Sequence, residues 1–332
     1  MHFSIFSVQD HHPAYERSVP ELYAQVLEQG ELADRLGYDT FFVAEHHFHE
    51  YGAVPNPAVF LSSLAQRTKR IRLGPAISIL PFHHPLTVAE NYAMLDILSH
   101  GRLVLGVGSG YLAHEFSGYE IDPLEKRDRF DEHLTVLKKA LSGERFSHRG
   151  KFISCESVAL NVRPLQKEVP LYVAILRREA AHHVGRQGHH IICVPYASVD
   201  RFDEIGGLLE DHRKGFSEAG NNAKPSALLA FHAHVAETDA AARENAEEAF
   251  NLYVRTRLYA KQQTYDDVLQ SGLHLFGSPG TVTAKLQQLR ALGAEHILLL
   301  MNFGLLDAEK VKSSMRLFAE KVITDLRMAA VQ

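Results

Sequence analysis

The sequence predicts a single (β/α)8 TIM barrel, with insertions at the C-terminal mouth of the barrel. Strand and helix patterns alternate along the chain, and eight such repeats fill most of its 332 residues. Parallel strands joined by helices must either close into a barrel or form a doubly wound sheet. Eight repeats in a chain of this length favour the closed barrel. We therefore expect residues 1–332 to form one domain.

The predicted elements follow from the spacing of apolar residues. Leu22, Val26 and Ala33 recur at helical spacing after Pro20 and before Gly37, which suit the first turn and the end of a helix. The residues at 40–44, TFFVA, are typical of a strand. The predicted strands are 3–8, 40–44, 71–80, 103–107, 171–175, 190–194, 227–235 and 296–301. The predicted helices are 20–36, 56–67, 85–98, 126–141, 179–186, 201–218, 240–258, 279–292 and 307–328.

Three segments are longer than ordinary loops: 108–125, 143–169 and 259–278. Long insertions after barrel strands lie at the C-terminal mouth, where ligands bind. Segment 108–125 follows the fourth strand directly, so we expect it to help build the site. Segment 143–169 has room for extra strands, and 259–278 is a candidate lid by its length and position.

Composition and charge exclude several classes of function. The formal net charge is −5 and no long basic run is present, which disfavours nucleic-acid binding. Neither a secretory leader nor an apolar run of membrane-spanning length is apparent. Cys155 and Cys193 are far apart and have no metal-ligand spacing, which indicates a reducing compartment. We expect a cytoplasmic protein that binds no membrane and no metal.

The most informative motif is Glu45-His46-His47-Phe48, at the end of the second strand. Barrel enzymes carry catalytic residues at this position. Adjacent strand residues point to opposite faces, so at most one of the two histidines should face a given pocket. This argues against a two-histidine metal site, and no HExxH pattern is present. Acid–base catalysis and a purely structural pair of histidines both remain open.

Three weaker motifs follow other strands. Gly108, Ser109 and Gly110 allow close approach of the backbone to a ligand, although the segment matches neither GxGxxG nor GxSxG and also suits a plain tight turn. Arg177 and Arg178 precede a helix and are candidates for holding a phosphate, or are solvated surface charges. Among the other histidine pairs we retain His84, which precedes Pro85 at the end of the third strand.

Several of these segments together resemble the bacterial luciferase-like monooxygenases. The likeness is carried by EHHF at 45–48, NP at 56–57, HP at 84–85 and the LD…LSxGR pattern at 95–102. It resumes over 277–304 and 314–322 and so covers nearly the whole chain. The combination of motifs is specific, although each of them alone is weak.

The resemblance implies a monooxygenase that uses reduced FMN, supplied by a separate NAD(P)H:flavin reductase, and O2. In that family oxygen adds to the flavin as a C4a-peroxide, which oxidises a small organic substrate. The catalytic histidine corresponds to His46, with Glu45 and His47 beside it. A non-proline cis peptide beneath the flavin corresponds to Ala76–Ile77. We assign His84 and Tyr111 to substrate binding, and we expect a homodimer formed by helices at 56–68 and 85–98.

The phosphate site departs from the family pattern. A family arginine after the fourth strand is replaced by Ser109, whereas a second one corresponds to Arg127. Our hypothesis is that Arg177 or Arg178 restores the lost charge. Some relatives use the deazaflavin F420, so an F420-dependent hydride transfer is the alternative, and a non-catalytic flavin-binding homologue is another. The substrate and light emission do not follow from the sequence.

Overall fold

The computed structural model describes residues 1–220, 223–256 and 263–328. Its strands are β1 His2–Ser7, β2 Thr40–Val43, β3 Arg72–Pro75, β4 Ser78–Ile79, β5 Leu105–Gly108, β6 Phe146–Arg149, β7 Ser154–Val158, β8 Leu171–Ala174, β9 His190–Cys193, β10 Ala227–Val235, β11 Leu275–Gly277 and β12 His296–Leu300.

The α-helices lie between and after the strands. They are α1 Val19–Leu36, α2 Pro57–Ala65, α3 Pro85–Leu98, α4 Ala113–Gly118, α5 Lys126–Leu141, α6 Glu179–Arg186, α7 Pro195–Ser198, α8 Glu204–Glu218, α9 Asp239–Arg255, α10 Tyr265–Ser271, α11 Pro279–Ala291, α12 Ala308–Leu317 and α13 Thr324–Met328. Short 3-10 turns occupy Leu80–Phe82 and Pro123–Glu125, and a π-helix at Phe318–Ile323 joins α12 to α13.

The parallel strands form a nearly closed barrel, which confirms the predicted fold. Their order is β3-β2-β1-β12-β10-β9-β8-β5-β4. β3 and β4 are two pieces of the predicted third strand, separated at Ala76 and Ile77. A bridge between Leu73 and Leu103 joins β3 to the chain just before β5. The ring therefore has eight positions, and β11 pairs with β10 outside it.

Local sequence explains why the elements begin and end where they do. Ser18 and Glu21 form a reciprocal capping box at the start of α1, and Gly37 ends the helix at a φ of 80°. The four residues of β2 are all buried, because helices cover the strand from outside and other strands face it inside. The core is thus continuous from the barrel interior to the helix layer.

The insertions contain structure of their own. Segment 143–169 holds the antiparallel hairpin β6–β7, so the expected extra strands are present. Glu132 of α5 accepts hydrogen bonds from the backbone N–H groups of Lys151, Phe152 and Ile153, which attaches the hairpin to that helix. Segment 259–278 contains α10 and β11, but its first residues, 259–262, lie outside the described part of the chain, so the lid is not tested. No described helix is long and apolar enough to cross a membrane.

Candidate active site

A largely apolar cavity opens at the C-terminal end of the barrel. It has about 930 Å³ of space, measured out to its open mouth. Seven residues predicted for the site line it: Glu45, His46, Ala76, Ile77, Ser109, Gly110 and Tyr111.

His46 faces the cavity beside a buried acid that the sequence reasoning did not identify. Its Nδ1 atom lies 3.1 Å from Oε1 of Glu115, and the backbone N–H of His47 donates to the same oxygen at 3.0 Å. Glu115 lies on α4, in the insertion after β5, and its side chain is inaccessible to solvent. A carboxyl group at this distance can fix the orientation and tautomer of an imidazole, which leaves Nε2 available for proton transfer.

Glu45 and His47, which follow β2, belong to a second hydrogen-bond network. Oε1 of Glu45 lies 3.1 Å from Nε2 of His47 and 2.6 Å from Nε2 of His83. The other oxygen accepts hydrogen bonds from the Ser78 hydroxyl and the Ile79 N–H, both at 3.2 Å. The two adjacent histidines therefore face different surroundings, as strand alternation predicts.

Hydrogen bonding sets the ionisation of this network. Burial alone would raise the pKa of Glu45, but hydrogen bonds and positive charge from His47 and His83 bring that pKa below its ordinary value. Burial lowers the pKa of His83, but the hydrogen bond and negative charge of Glu45 outweigh it, so the pKa of His83 is raised. Glu45 and His83 also line a smaller cavity between α2 and α3.

The same cluster corrects the expectation that the chain brings no metal-ligand groups together. Ligand atoms of Glu45, His47 and His83 all lie within 4.8 Å of one another. The prediction missed this because His83 comes from the turn after β4, far from the EHHF motif in sequence. Each group already has hydrogen-bond partners, including the Tyr119 hydroxyl at 3.1 Å from Nδ1 of His47. Hydrogen bonding thus accounts for the cluster without a metal ion.

The Ala76–Ile77 bond forms part of the cavity wall. That bond is cis, as the resemblance implies. Gly108 does not line the cavity directly, but a Cβ there would lie 2.1 Å from Cδ1 of Ile77 and 3.3 Å from Cβ of Ala174. Glycine at this position therefore lets β5 pack closely against the cis segment and the wall of the cavity.

The three predicted phosphate-binding arginines lie outside the cavity wall. Arg127 and Arg177 are exposed. The positive charge of Arg127 lowers the pKa of Asp131, although the burial of Asp131 has a larger effect and raises that pKa. His183 of α6 acts on Asp131 in the same way, which brings Arg127 and α6 to a common region. Arg178 instead donates through Nε to Asp211 of α8 at 2.7 Å.

The two residues assigned to substrate binding differ in position. Tyr111 lines the cavity, with its ring 6.4 Å from that of His46. His84 is exposed, does not line the cavity, and accepts a hydrogen bond from the Leu86 N–H as the N-cap of α3. Its neighbour His83 contacts Glu45 instead. His84 therefore lies away from the cavity in which it was predicted to bind substrate, because the residue before Pro85 is used to start the helix.

Comparison with known proteins decides the family. The family model described as luciferase-like monooxygenase matches residues 1–296. The chain belongs to this family. Among solved structures, monooxygenase RslO1 from Streptomyces bottropensis shares 31% identity and superposes with a TM-score of 0.91 over 98% of this chain and 99% of its own.

Other luciferase-like relatives differ in their cofactors. The oxygenase component of the flavin-dependent trigonelline monooxygenase of Acinetobacter baylyi is 27% identical over 256 residues, 76% of this chain and 70% of the relative. The F420-dependent glucose-6-phosphate dehydrogenase of Microbacterium testaceum is 31% identical over 202 residues, 59% of each chain. The oxygenating constituent of 3,6-diketocamphane monooxygenase from Pseudomonas putida, solved in complex with FMN, has the same fold with a TM-score of 0.84 over 98% of this chain and 99% of its own, at 21% identity. The monooxygenase relatives support an oxidoreductase.

Proposed function

We propose that this protein is the oxygenase component of a two-component monooxygenase, which uses reduced FMN and O2 to oxidise a small organic molecule. The observation that carries the proposal is the His46–Glu115 pair at the wall of an apolar cavity, at the end of a barrel strand where catalytic groups lie. The pair can hold and move a proton at Nε2 of His46. The cavity wall keeps water from the reacting atoms.

The residues at the cavity fit a bound flavin. Ala76, Ile77 and Ala174 contribute apolar side chains to the cavity wall against which a flat ring would lie, and Gly108 allows β5 to pack close to Ile77 and Ala174. Ser109 and Gly110 lie next to it, and Arg127 with Arg177 supplies positive charge outside the wall for a phosphate. Reduced FMN supplies the activation of oxygen when it is bound. The protein holds the ring, excludes water and provides the proton.

A separate flavin reductase is the proposed partner. The trigonelline relative is described as an oxygenase component. By this likeness, the proposed system depends on diffusion of reduced FMN from its reductase.

Substitution of His46 tests the proposal. The His46→Ala variant should fold, bind FMN and lose substrate oxidation, because the cavity keeps its shape while the proton-transfer group is removed. His11→Ala, which lies outside the cavity wall, is the control. We would supply photoreduced FMN and O2 and measure oxidised product and hydrogen peroxide. Unchanged product formation in His46→Ala would remove this residue from the mechanism.

Hydride transfer with F420 is the second candidate, favoured by the F420-dependent relative. Anaerobic titration with reduced FMN and reduced F420 separates the two. Tight binding of F420 and no oxygen consumption with reduced FMN would establish the second candidate in place of the first.

A homodimer through α2 and α3 is also proposed. These helices carry exposed apolar side chains, which a soluble monomer rarely groups together. They are Val59, Met94, Ile97 and Leu98. Light scattering on the purified chain measures the oligomeric state directly.

A further inference from the structure

A row of aromatic rings leads from His46 to another part of the cavity wall. The ring of His46 lies 4.5 Å from that of Tyr51, and Tyr51 lies 5.8 Å from Tyr253. The ring of His232 then lies 5.0 Å from Tyr253 and 5.5 Å from Tyr196. All five residues line the cavity. We call these rings the aromatic row. It is formed by α7, β10, α9 and the segment after β2.

His232 is the unusual member of the aromatic row. Its side chain is 2% exposed, and its Nε2 atom has no hydrogen-bond partner in the described part of the chain. Burial lowers the pKa of His232 to about 3, so the ring is neutral at physiological pH. Buried polar groups nearly always have partners, and each exception needs an explanation. A ligand that occupies this part of the cavity would provide one.

The cavity is poorly suited to charged ligands. Among the described residues that line it, none is an arginine or lysine. Its one carboxyl group, Glu45, is already bound by two histidines and two other donors. An anionic or cationic substrate would lose its hydration without gaining an opposite charge.

We propose that His232 hydrogen-bonds the carbonyl or hydroxyl group of an uncharged, ring-shaped substrate that stacks along the aromatic row. This proposal deepens the proposed function, on which it rests, by naming the substrate class. A neutral imidazole can donate from one nitrogen and accept at the other, so it suits both groups. Flat or cyclic molecules fit between aromatic side chains, which favour offset and edge-to-face contacts.

The chain offers a matched control two residues further along β10. His234 is 1% exposed, its ring nitrogens have no partner in the described residues, and burial lowers its pKa to about 4. It does not line the cavity. His232→Phe and His234→Phe therefore remove the same kind of group from the same strand, inside and outside the proposed subsite.

Calorimetric titration of the full chain tests the proposal, with and without FMN. The three probes are cyclohexanone, methylenecyclohexane and cyclohexanecarboxylate. Methylenecyclohexane has a carbon in place of the carbonyl oxygen, and cyclohexanecarboxylate carries a negative charge. We expect cyclohexanone to bind about tenfold more tightly than either of the others, which corresponds to one good hydrogen bond. His232→Phe should abolish the preference over methylenecyclohexane, whereas His234→Phe should keep it.

Three results would overturn the subsite: no binding of cyclohexanone at about 10 mM, equal binding of the carboxylate, or a preference that survives His232→Phe. If His232→Phe does not fold, the smaller His232→Leu makes the same comparison. Because these titrations need no reduced flavin, oxygen or turnover, their failure is distinguishable from failure of the monooxygenase proposal, which is read from product formation.

Discussion

Replacement of Glu115 by glutamine tests whether the acid beside His46 acts by its charge. The glutamine carbonyl can take the place of Oε1, which accepts from the His47 N–H and lies 3.1 Å from Nδ1 of His46. The amide nitrogen then replaces Oε2, which has no partner among the described residues. The local geometry is therefore retained while the negative charge is lost.

The size of the effect follows from that contact. A hydrogen bond to a charged group contributes about 1.5–3 kcal/mol. Each 1.36 kcal/mol in the barrier changes a rate tenfold. If the charge of Glu115 stabilises His46 only while the imidazole carries the transferred proton, Glu115→Gln should lower kcat about ten- to 150-fold. KM should stay nearly constant, because Glu115 does not line the cavity.

The assay compares kcat and KM for product formation in Glu115→Gln and Glu120→Gln. Glu120 is exposed two residues after α4, so its replacement removes the same charge from the surface. Unfolding by urea should give free energies within about 1 kcal/mol of the parent for both variants. A kcat for Glu115→Gln as high as that of Glu120→Gln would refute the electrostatic role, and a fall in kcat that parallels lost stability would reduce Glu115 to a structural anchor.

Three further predictions concern other parts of the site. Gly108→Ala should weaken FMN binding because its Cβ would meet Cδ1 of Ile77, and adding Ile77→Val should restore the affinity; fluorescence titration of FMN checks both. His83→Gln should destabilise the protein most near pH 5–6 and little at pH 9: the raised pKa of His83 gives stability below its unfolded pKa that is lost as pH rises through the folded one. Urea unfolding at several pH values measures this, and a pH-independent difference would contradict it. Arg127→Ala and Arg177→Ala should weaken FMN binding more than riboflavin binding, whereas Arg178→Ala, whose guanidinium is held by Asp211, should affect both alike.

Much of the fold is predictable from local signals. The limits of α3, α5, α6 and β10 agree with the prediction residue for residue. Pro85 begins α3 in the first helical position, and Phe130 and Leu134 give α5 its apolar face. The third strand was predicted as one piece because its apolar run is continuous, and only the resemblance indicated an interruption at Ala76–Ile77.

The site itself was only partly predictable. Its strand-end residues were accessible because barrel topology brings the ends of all strands to one mouth. Glu115 was missed because its contact with His46 spans 69 residues, and its only signal was a place in the insertion after β5. His232 was missed because an apolar strand with two histidines, His232 and His234, does not reveal which of them lines the cavity. The contact of Arg178 with Asp211 could not be predicted, because it depends on the packing of α8 against α6.

The contacts of these residues also explain why this site needs two acids. Glu45 and His47 are two residues apart in the segment that follows β2, and their side chains bind each other. His46 must then face away from Glu45, and an acid for it has to come from another element. The insertion after β5 provides Glu115, which also accepts the backbone N–H of His47 and so ties the end of β2 to α4. It follows that Glu45 cannot replace Glu115: a Glu115→Gln variant should not be rescued by any change at Glu45, and a Glu45→Gln variant should alter stability through His83 while His46 keeps its partner.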